Sequence, residues 1–204
     1  MTYQIIQKDE HAACIDIAAR AFADYEYFSA YVPDYKRRQR FLRSMIKTEF
    51  TLNSGSQIFL SAKEDGKTVA VAILCPPGYK KPSDSEYLKN GFWKTLLHGG
   101  YRNVSAWNRM EEEAIAPCRS LHDAWYLNMM VVEPDMEGKG IGSRMIGECI
   151  VPYVRVHGGS TLCLFTNSEI NRRFYLKNGF EEFDRKEFTY KGRSIGSWSF
   201  RMDV

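Results

Sequence analysis

A glycine-rich junction between a predicted strand and a predicted helix is the part of the sequence best suited to chemistry. The run VVEPDMEGKGIGS (residues 131–143) passes from apolar strand residues through glycines into a helical pattern. The first backbone N–H groups of a helix have no partner within it, and the helix dipole is positive at that end. Glycines let a ligand approach the backbone closely. The junction therefore predicts an anion site suited to phosphate.

Two common nucleotide-binding motifs do not fit this junction. A Walker A loop has its lysine directly after the second glycine and before Ser or Thr, whereas Lys139 precedes Gly140. In a Rossmann G-x-G-x-x-G reading, Ser143 or Met145 would stand at the third glycine. On this motif alone, a glycine turn without any ligand remains an alternative.

A second motif, NRRFYLKNGF (residues 171–180), follows the next predicted strand. Together the two motifs resemble the GNAT superfamily of N-acetyltransferases. Its signature joins a Gln/Arg-x-x-Gly-x-Gly/Ala loop to a helix ending in Tyr-x-x-x-Gly-Phe. The matching residues are Gly140 and Gly142 in the loop and Tyr175, Gly179 and Phe180 in the second motif. A looser similarity links the chain to the small-molecule branch that includes puromycin N-acetyltransferase.

The resemblance implies a mixed α/β fold: a mostly antiparallel central sheet, flanked by helices, with splayed strands that hold CoA. It implies transfer of an acetyl group from acetyl-CoA to an amine, with Tyr175 as the general acid for the leaving thiolate. A core aromatic role is the alternative for Tyr175. The residues implied for CoA binding are Met130, Val131, Val132, Gly138, Lys139, Gly140, Ile141, Gly142, Ser143 and Asn171. Ser168 is a weaker candidate of the same kind.

One residue departs from the family pattern. Glu137 stands where the family usually has Gln or Arg. A carboxylate beside a pyrophosphate is electrostatically unfavourable. We therefore expect the Glu137 side chain to point away from the phosphates, or the affinity for CoA to be reduced.

The general base is not determined by the sequence. An alkylamine has a pKa of about 10.4, so a proton must be removed before it can attack the thioester. The polar candidates, besides a water, are Tyr126, Asn128, Glu26, Glu133 and His122. An aromatic cluster, Tyr25, Tyr27, Phe28 and Tyr31, lies where family members shape the acceptor pocket, although ordinary core packing explains it equally well.

The elements that would position these residues follow from hydrophobic periodicity and turn signals. Strands are predicted over residues 3–7, 58–62, 67–75, 125–132, 161–165, 183–190 and 194–202. Helices are predicted from Asp9, over 34–51, within 83–121 and over 140–157. Thr166 and Glu169 match a capping box that would open a last helix, which runs to Lys177 with Gly179 as its C-terminal cap. We expect one domain over 1–204 with a helical insertion at about 79–123.

Composition excludes several classes of protein. The 28 Lys and Arg against 25 Asp and Glu give a net charge of only +3, too small to indicate a nucleic-acid partner. No apolar run is long enough to span a membrane. Five widely spaced cysteines without a Cys-x-x-Cys pair indicate free thiols and no metal site. The basic run 36–43 and the acidic run 111–113 are interpreted as solvated surface, the basic run alternatively as a grip on an anion.

The sequence thus predicts a cytoplasmic acetyltransferase with a small-molecule amine as its acceptor, as a monomer or homodimer and without a metal. Two alternatives remain open. One is acetylation of a protein or peptide. The other is a non-catalytic domain that binds acyl-CoA.

Overall fold

A seven-stranded sheet organises the chain, and the computed structural model describes all of residues 1–204. The strand order is β1-β2-β3-β4-β5-β7-β6, and every neighbouring pair is antiparallel except β4 and β5. The strands are β1 (Thr2–Ile5), β2 (Ile58–Glu64), β3 (Lys67–Cys75), β4 (Trp125–Val132), β5 (Thr161–Thr166), β6 (Glu181–Tyr190) and β7 (Arg193–Asp203). The predicted mixed fold with a mostly antiparallel sheet is confirmed.

Helices cover both faces of the sheet. They are α1 (His11–Ala21), α2 (Glu26–Tyr31), α3 (Tyr35–Asn53), α4 (Asp84–Tyr87), α5 (Trp93–Gly99), α6 (Tyr101–Arg119), α7 (Ile141–Arg144), α8 (Val151–Val156) and α9 (Glu169–Lys177). A π-helical stretch, Met145–Ile150, joins α7 to α8, so one helical rod follows β4. None of the helices is both long enough and apolar enough to cross a bilayer.

Two hydrophobic cores lie on opposite faces of the sheet. The first core joins β2, β3 and β4 to α1, α2, α3 and α6. The second joins the same strands and β5 to the rod α7–α8 and to α9. All five cysteines are buried free thiols, as the sequence predicts. The two cores fix the helices that carry the candidate site residues.

Strands β4 and β5 part soon after they begin. Their register contains only two pairs, Trp125 with Leu162 and Tyr126 with Cys163. On the other edge of β4, Ile73 pairs with Met129 and Leu74 with Leu127, so Asn128 is the extra residue of a β-bulge. Beyond the bulge, the β4 edge that faces β5 has no strand partner. The predicted splay of two strands is confirmed.

The predicted capping box at Thr166 is wrong. Thr166 ends β5, where it pairs with Trp198, and its Oγ1 lies 2.9 Å from the Tyr25 hydroxyl oxygen. Helix α9 begins at Glu169, and Ser168 is its N-cap, with its side chain accepting from the Asn171 N–H at 3.5 Å. Thr166 therefore pairs within the sheet and contacts Tyr25, and it does not cap the helix.

The interpretation of the basic run 36–43 as solvated surface is wrong at Arg38. This side chain is 6% exposed, and its guanidinium donates to the backbone carbonyls of Ala23, Val32 and Pro33 at 2.5, 2.9 and 2.9 Å. It thus ties α3 to the turns on either side of α2. A buried arginine that satisfies three carbonyls acts as a structural link, because unpaired buried carbonyls are costly.

Candidate functional site

The glycines between β4 and α7 serve two different physical needs. Gly138 and Gly140 have φ of +76° and +75°, a left-handed backbone that favours glycine, and a Cβ at either would meet nothing. A Cβ at Gly142 would lie 3.1 Å from the Phe174 ring, so this glycine allows close packing of α7 on α9. The turn thus presents the first N–H groups of the helical rod to solvent.

Charges around this turn are uneven. Gly138, Lys139 and Gly140 are exposed, and the Lys139 ammonium lies 3.1 Å from the Met136 sulfur without forming an ion pair. Arg144, by contrast, is held by Glu148, with Nε 3.1 Å from Oε1. Glu137 is exposed and pairs with no cation. Of the nearby basic groups, Lys139 is therefore the one available to an anion at the helix start.

The three β4 residues predicted to line the CoA arm do not share one face. Met130 and Val132 pack against the second core, on the side of the helical rod. Val131 is buried in the first core. Because its side chain is buried in this core, Val131 can contact a ligand in the gap between β4 and β5 only through its backbone.

A cleft of about 1140 Å³ opens where β4 and β5 diverge and extends beneath α3, α4 and α6. Sequence-predicted residues that line it are Tyr25, Tyr27, Phe28, Met130, Asn171 and Tyr175, with Tyr126, Asn128 and His122. Tyr31 does not line it and instead stacks on Tyr190, with ring centroids 4.4 Å apart. The glycine turn 138–143 and the remaining β4 residues Val131 and Val132 also lie outside its lining.

Tyr175 lies on α9 at the wall of this cleft. Its ring contacts Phe180 edge-on at 5.3 Å between centroids and Phe200 at 5.8 Å. The hydroxyl forms no hydrogen bond with the protein. Burial, reinforced by the neighbouring Tyr25, raises the pKa of Tyr175 above its ordinary value. The phenol therefore stays protonated at neutral pH and can donate into the cleft.

Tyr25 fixes the end of β5 beside Tyr175. Its hydroxyl oxygen accepts from the Asn167 backbone N–H at 2.8 Å and lies 2.9 Å from Thr166 Oγ1. The residue belongs to the turn before α2, so this contact joins the two sides of the cleft. It holds the diverging strand end in place although no β4 partner reaches it.

Two carboxylates in the cleft were missed at the sequence level. Glu111 on α6 accepts from the Tyr27 hydroxyl at 2.5 Å through Oε2, and its other oxygen has no donor. Glu49 on α3 accepts from Gln57 and Asn128 through Oε1, at 2.8 and 3.2 Å. Neither carboxylate has a cationic partner within the protein, and burial raises the pKa of both.

The sequence did hold a signal for these two residues. Glu49 lies three positions after Ile46 and four after Met45, on the apolar stripe of α3. Glu111 lies four positions after Trp107, on the stripe of α6. An acidic residue at helical spacing within an apolar stripe must face the interior or a cavity. The interpretation of residues 111–113 as solvated surface is therefore wrong for Glu111.

Glu112 differs from its neighbour Glu111. Lys81 lies 2.7 Å from its Oε1, and Arg119 pairs with the other oxygen. The hydrogen bond from Arg119, opposed by burial and helped by Lys81, lowers the pKa of Glu112 to about 2. This group links the segment after β3 to α6 at the wall of the cleft.

The structure separates the remaining base candidates. Glu133 pairs with Arg20 at 2.5 Å and does not line the cleft, and Glu26 does not line it either. Tyr126 lines the cleft, and burial raises its pKa well above the ordinary value. The Asn128 amide already donates to Glu49. Among the cleft residues, Glu111 and Asp84 have carboxylate oxygens that accept no hydrogen bond, and of these two Asp84 is exposed to solvent whereas Glu111 is not.

Comparison with known proteins gives a match to a family model over part of the chain, and a fold. Residues 104–182 match the family model described as acetyltransferase (GNAT) domain. The fold resembles that of a protein described as histone acetyltransferase HPA2 and related acetyltransferase from Corynebacterium glutamicum, with a TM-score of 0.65 at 15% identity, covering 100% of this chain and 96% of that one.

Two further solved structures share the fold. The ribosomal-protein-S18-alanine N-acetyltransferase from Escherichia coli has a TM-score of 0.58 at 15% identity, covering 100% of this chain and 93% of that one. A GCN5-related N-acetyltransferase from Rhodopseudomonas palustris has a TM-score of 0.57 at 15% identity, covering 100% and 95%. The predicted GNAT resemblance is confirmed.

Substitution of Gly140 tests the glycine turn. Gly140→Ala forces a left-handed backbone on a residue with a side chain, which costs about 1 kcal/mol of stability, and the turn shifts to relieve the strain. We expect weaker binding of CoA by calorimetry. Gly147→Ala, in the same helical rod with open space and ordinary φ, is the matched control and should bind CoA normally. Equal CoA affinity in both variants would contradict a role for this turn.

Proposed function

We propose that this chain, which carries a GNAT acetyltransferase domain over residues 104–182, acetylates a primary amine of a small molecule. An N-acetyltransferase that uses acetyl-CoA follows from the family. The acceptor and the role of each residue are the proposal. The observation that carries it is a cleft with Tyr175 on its wall and two carboxylates inside that lack counter-ions.

Acetyl-CoA is proposed to lie in the gap between β4 and β5. Its phosphates are assigned to the turn Gly138–Ser143, where the positive end of the helical rod and Lys139 favour an anion. The arm is assigned to Met130, Val131 and Val132, and a further contact to Asn171. The unpaired β4 edge supports this assignment, because its N–H and C=O groups need partners that β5 does not supply.

Glu111 is the proposed general base. A base needs a free lone pair, and Glu111 has one oxygen without a donor, whereas both oxygens of Glu49 accept hydrogen bonds. The Tyr27 hydroxyl holds the carboxylate in place. Its raised pKa brings it closer to the range of an efficient base at neutral pH.

The reaction then follows from these positions. Glu111 accepts a proton from the ammonium, and the neutral nitrogen forms a bond to the thioester carbon. N–H groups on the free β4 edge beyond Asn128 are proposed to stabilise the developing oxyanion. The carbon–sulfur bond breaks, and the Tyr175 hydroxyl gives its proton to the thiolate sulfur. The nitrogen loses its second proton, which restores the Tyr175 hydroxyl, so the products are the amide and the free thiol of CoA.

The aromatic residues that line the cleft favour a small molecule over a peptide as the acceptor. The segment between β3 and β4 carries α4, α5 and α6, and it covers the cleft with Tyr79, Tyr87 and Trp107. The ion pair between Lys81 and Glu112 fastens the start of this segment to α6, and Arg119 pairs with the same carboxylate. We propose that this segment is an insertion within one domain and sets acceptor specificity. A domain that only binds acyl-CoA would have no use for an unneutralised carboxylate in the acceptor space.

Removal of the Glu111 carboxylate should slow turnover. We expect Glu111→Gln to lower kcat by about 10²-fold at neutral pH, the usual contribution of a general base. In the parent protein the rate falls as the pH drops through the raised pKa of Glu111, because the protonated carboxyl accepts no proton, and this limb disappears in the variant. The control is Glu113→Gln, because Glu113 lies on the same helix but is exposed and does not line the cleft. An unchanged pH profile in Glu111→Gln would exclude this base.

Removal of the Tyr175 hydroxyl should separate chemistry from binding. We expect Tyr175→Phe to lower kcat by on the order of 10²-fold, since the thiolate loses its proton donor. CoA affinity should stay within about twofold, because the hydroxyl forms no hydrogen bond that positions the site. Tyr153→Phe, on α8 outside the cleft, serves as the control. Full turnover in Tyr175→Phe would assign the residue to core packing.

A further inference from the structure

We infer that the acceptor carries a second positively charged group and that Glu49 and Gln57 bind it. This inference rests on the proposed function and specifies its substrate class as a compact diamine. One amine reacts beside Glu111, and the other anchors the molecule at Glu49, the second carboxylate that lines the same cleft.

Glu49 is held by donors from three different elements. Gln57, just before β2, donates its Nε2 at 2.8 Å, and Asn128 at the β4 bulge donates its Nδ2 at 3.2 Å. The Tyr87 hydroxyl at the end of α4 donates to the other oxygen at 3.1 Å. These donors fix the direction of the carboxylate, but all three are neutral. The carboxylate is therefore oriented, and no cation of the protein forms an ion pair with it.

Gln57 supplies an independent sign of a missing donor. Its side chain is buried, with 4% of the residue exposed, and it lines the cleft. While its Nε2 donates to Glu49, its Oε1 has no hydrogen-bond partner. Buried polar atoms nearly always have partners, and an orphaned one costs about 1–3 kcal/mol. An ammonium has three donors and can satisfy both the carboxylate and this amide oxygen.

The cations of the cleft wall are already committed elsewhere. Lys81 and Arg119 both pair with Glu112, and no other lysine or arginine lines the cleft. Desolvating a carboxylate without a cation is costly, so a positive ligand gains more here than at an exposed site. Tyr79 also lines the cleft and has an aromatic ring, which favours a cation, whereas the Tyr87 ring already has the Lys81 ammonium 6.0 Å from its centroid.

The arrangement also says which amines fit poorly. An amino acid would bring its own carboxylate towards Glu49 or Glu111, and like charges at close range repel. A monoamine with an alkyl tail would bury apolar carbons against a charged carboxylate and an unpaired amide oxygen. A diamine offers one positive group to each of the two carboxylates.

The test uses paired acceptors and thiol release from acetyl-CoA. Diaminoalkanes of three to six carbons are compared with monoamines of equal chain length, in the parent protein, Glu49→Gln and the exposed control Glu113→Gln. We expect kcat/KM for the preferred diamine to exceed that of its monoamine about tenfold in the parent and the control, as for one charge-assisted contact. In Glu49→Gln this ratio should fall close to one. Gln57→Met, which removes the orphaned oxygen, should lower the ratio as well.

The outcomes separate the inference from the proposed function. Thiol release with equal kcat/KM for diamine and monoamine would overturn the second cation site and uphold acetyl transfer. If none of the amines supports thiol release, the result would count against the proposed function. Calorimetry of the same diamines with CoA present then decides the inference. Tighter diamine binding in the parent than in Glu49→Gln supports it, and equal binding overturns it. Thermal unfolding of each variant identifies any that fails to fold. If either Glu49→Gln or Gln57→Met does not fold, the variant that does fold decides the inference.

Discussion

The site depends on the parting of the two parallel strands β4 and β5. Parallel neighbours ordinarily share an even ladder of hydrogen bonds, but these two pair at only two positions. The bulge at Asn128 bends β4 at the point where the ladder stops. A row of backbone donors and acceptors is thus left facing a gap. Such groups need partners, which a ligand with its own amides can supply.

Other contacts keep this gap open in a fixed shape. The Tyr25 hydroxyl holds Thr166 and Asn167 at the end of β5, where β4 has already turned away. On the opposite face, Gly142 lets α7 approach Phe174 of α9 closely. The helical rod, α9 and the strand ends are therefore connected to one another by direct contacts and form one frame. The positive end of the rod and the mouth of the cleft are held in one arrangement before any ligand binds.

Positive and negative groups lie in different parts of this frame. A positive helix start with Lys139 lies at one end, whereas Glu111 and Glu49 lie in the cleft without counter-ions. The protein neutralises Glu112 next to them with two cations. Unpaired buried carboxylates lower stability, so their persistence indicates that a ligand or a proton completes them. A cationic amine, which must give a proton to a base before it can attack, fits both requirements.

Local signals in the sequence predicted much of this frame. The strand 125–132, the glycine turn and the helix after it were predicted because apolar runs and glycines at capping positions act over a few residues. The predicted start of α9 was wrong because the Thr166 hydroxyl contacts Tyr25, which lies 141 residues away in sequence. Glu49 and Glu111 were missed because their meeting in one cleft depends on how α3 and α6 pack. Tertiary contacts of this kind leave only a faint trace in the helical pattern.

Amide hydrogen exchange with and without acetyl-CoA tests the central claim most directly. If acetyl-CoA lies between the diverging strands, its binding should slow exchange in residues 128–132 of β4 and 138–143 of the turn together. Strands β6 and β7, which pair with each other along their lengths, provide the internal reference and should not change. Protection of both segments is the predicted result. Unchanged exchange in β4 and the turn at saturating acetyl-CoA would contradict the account.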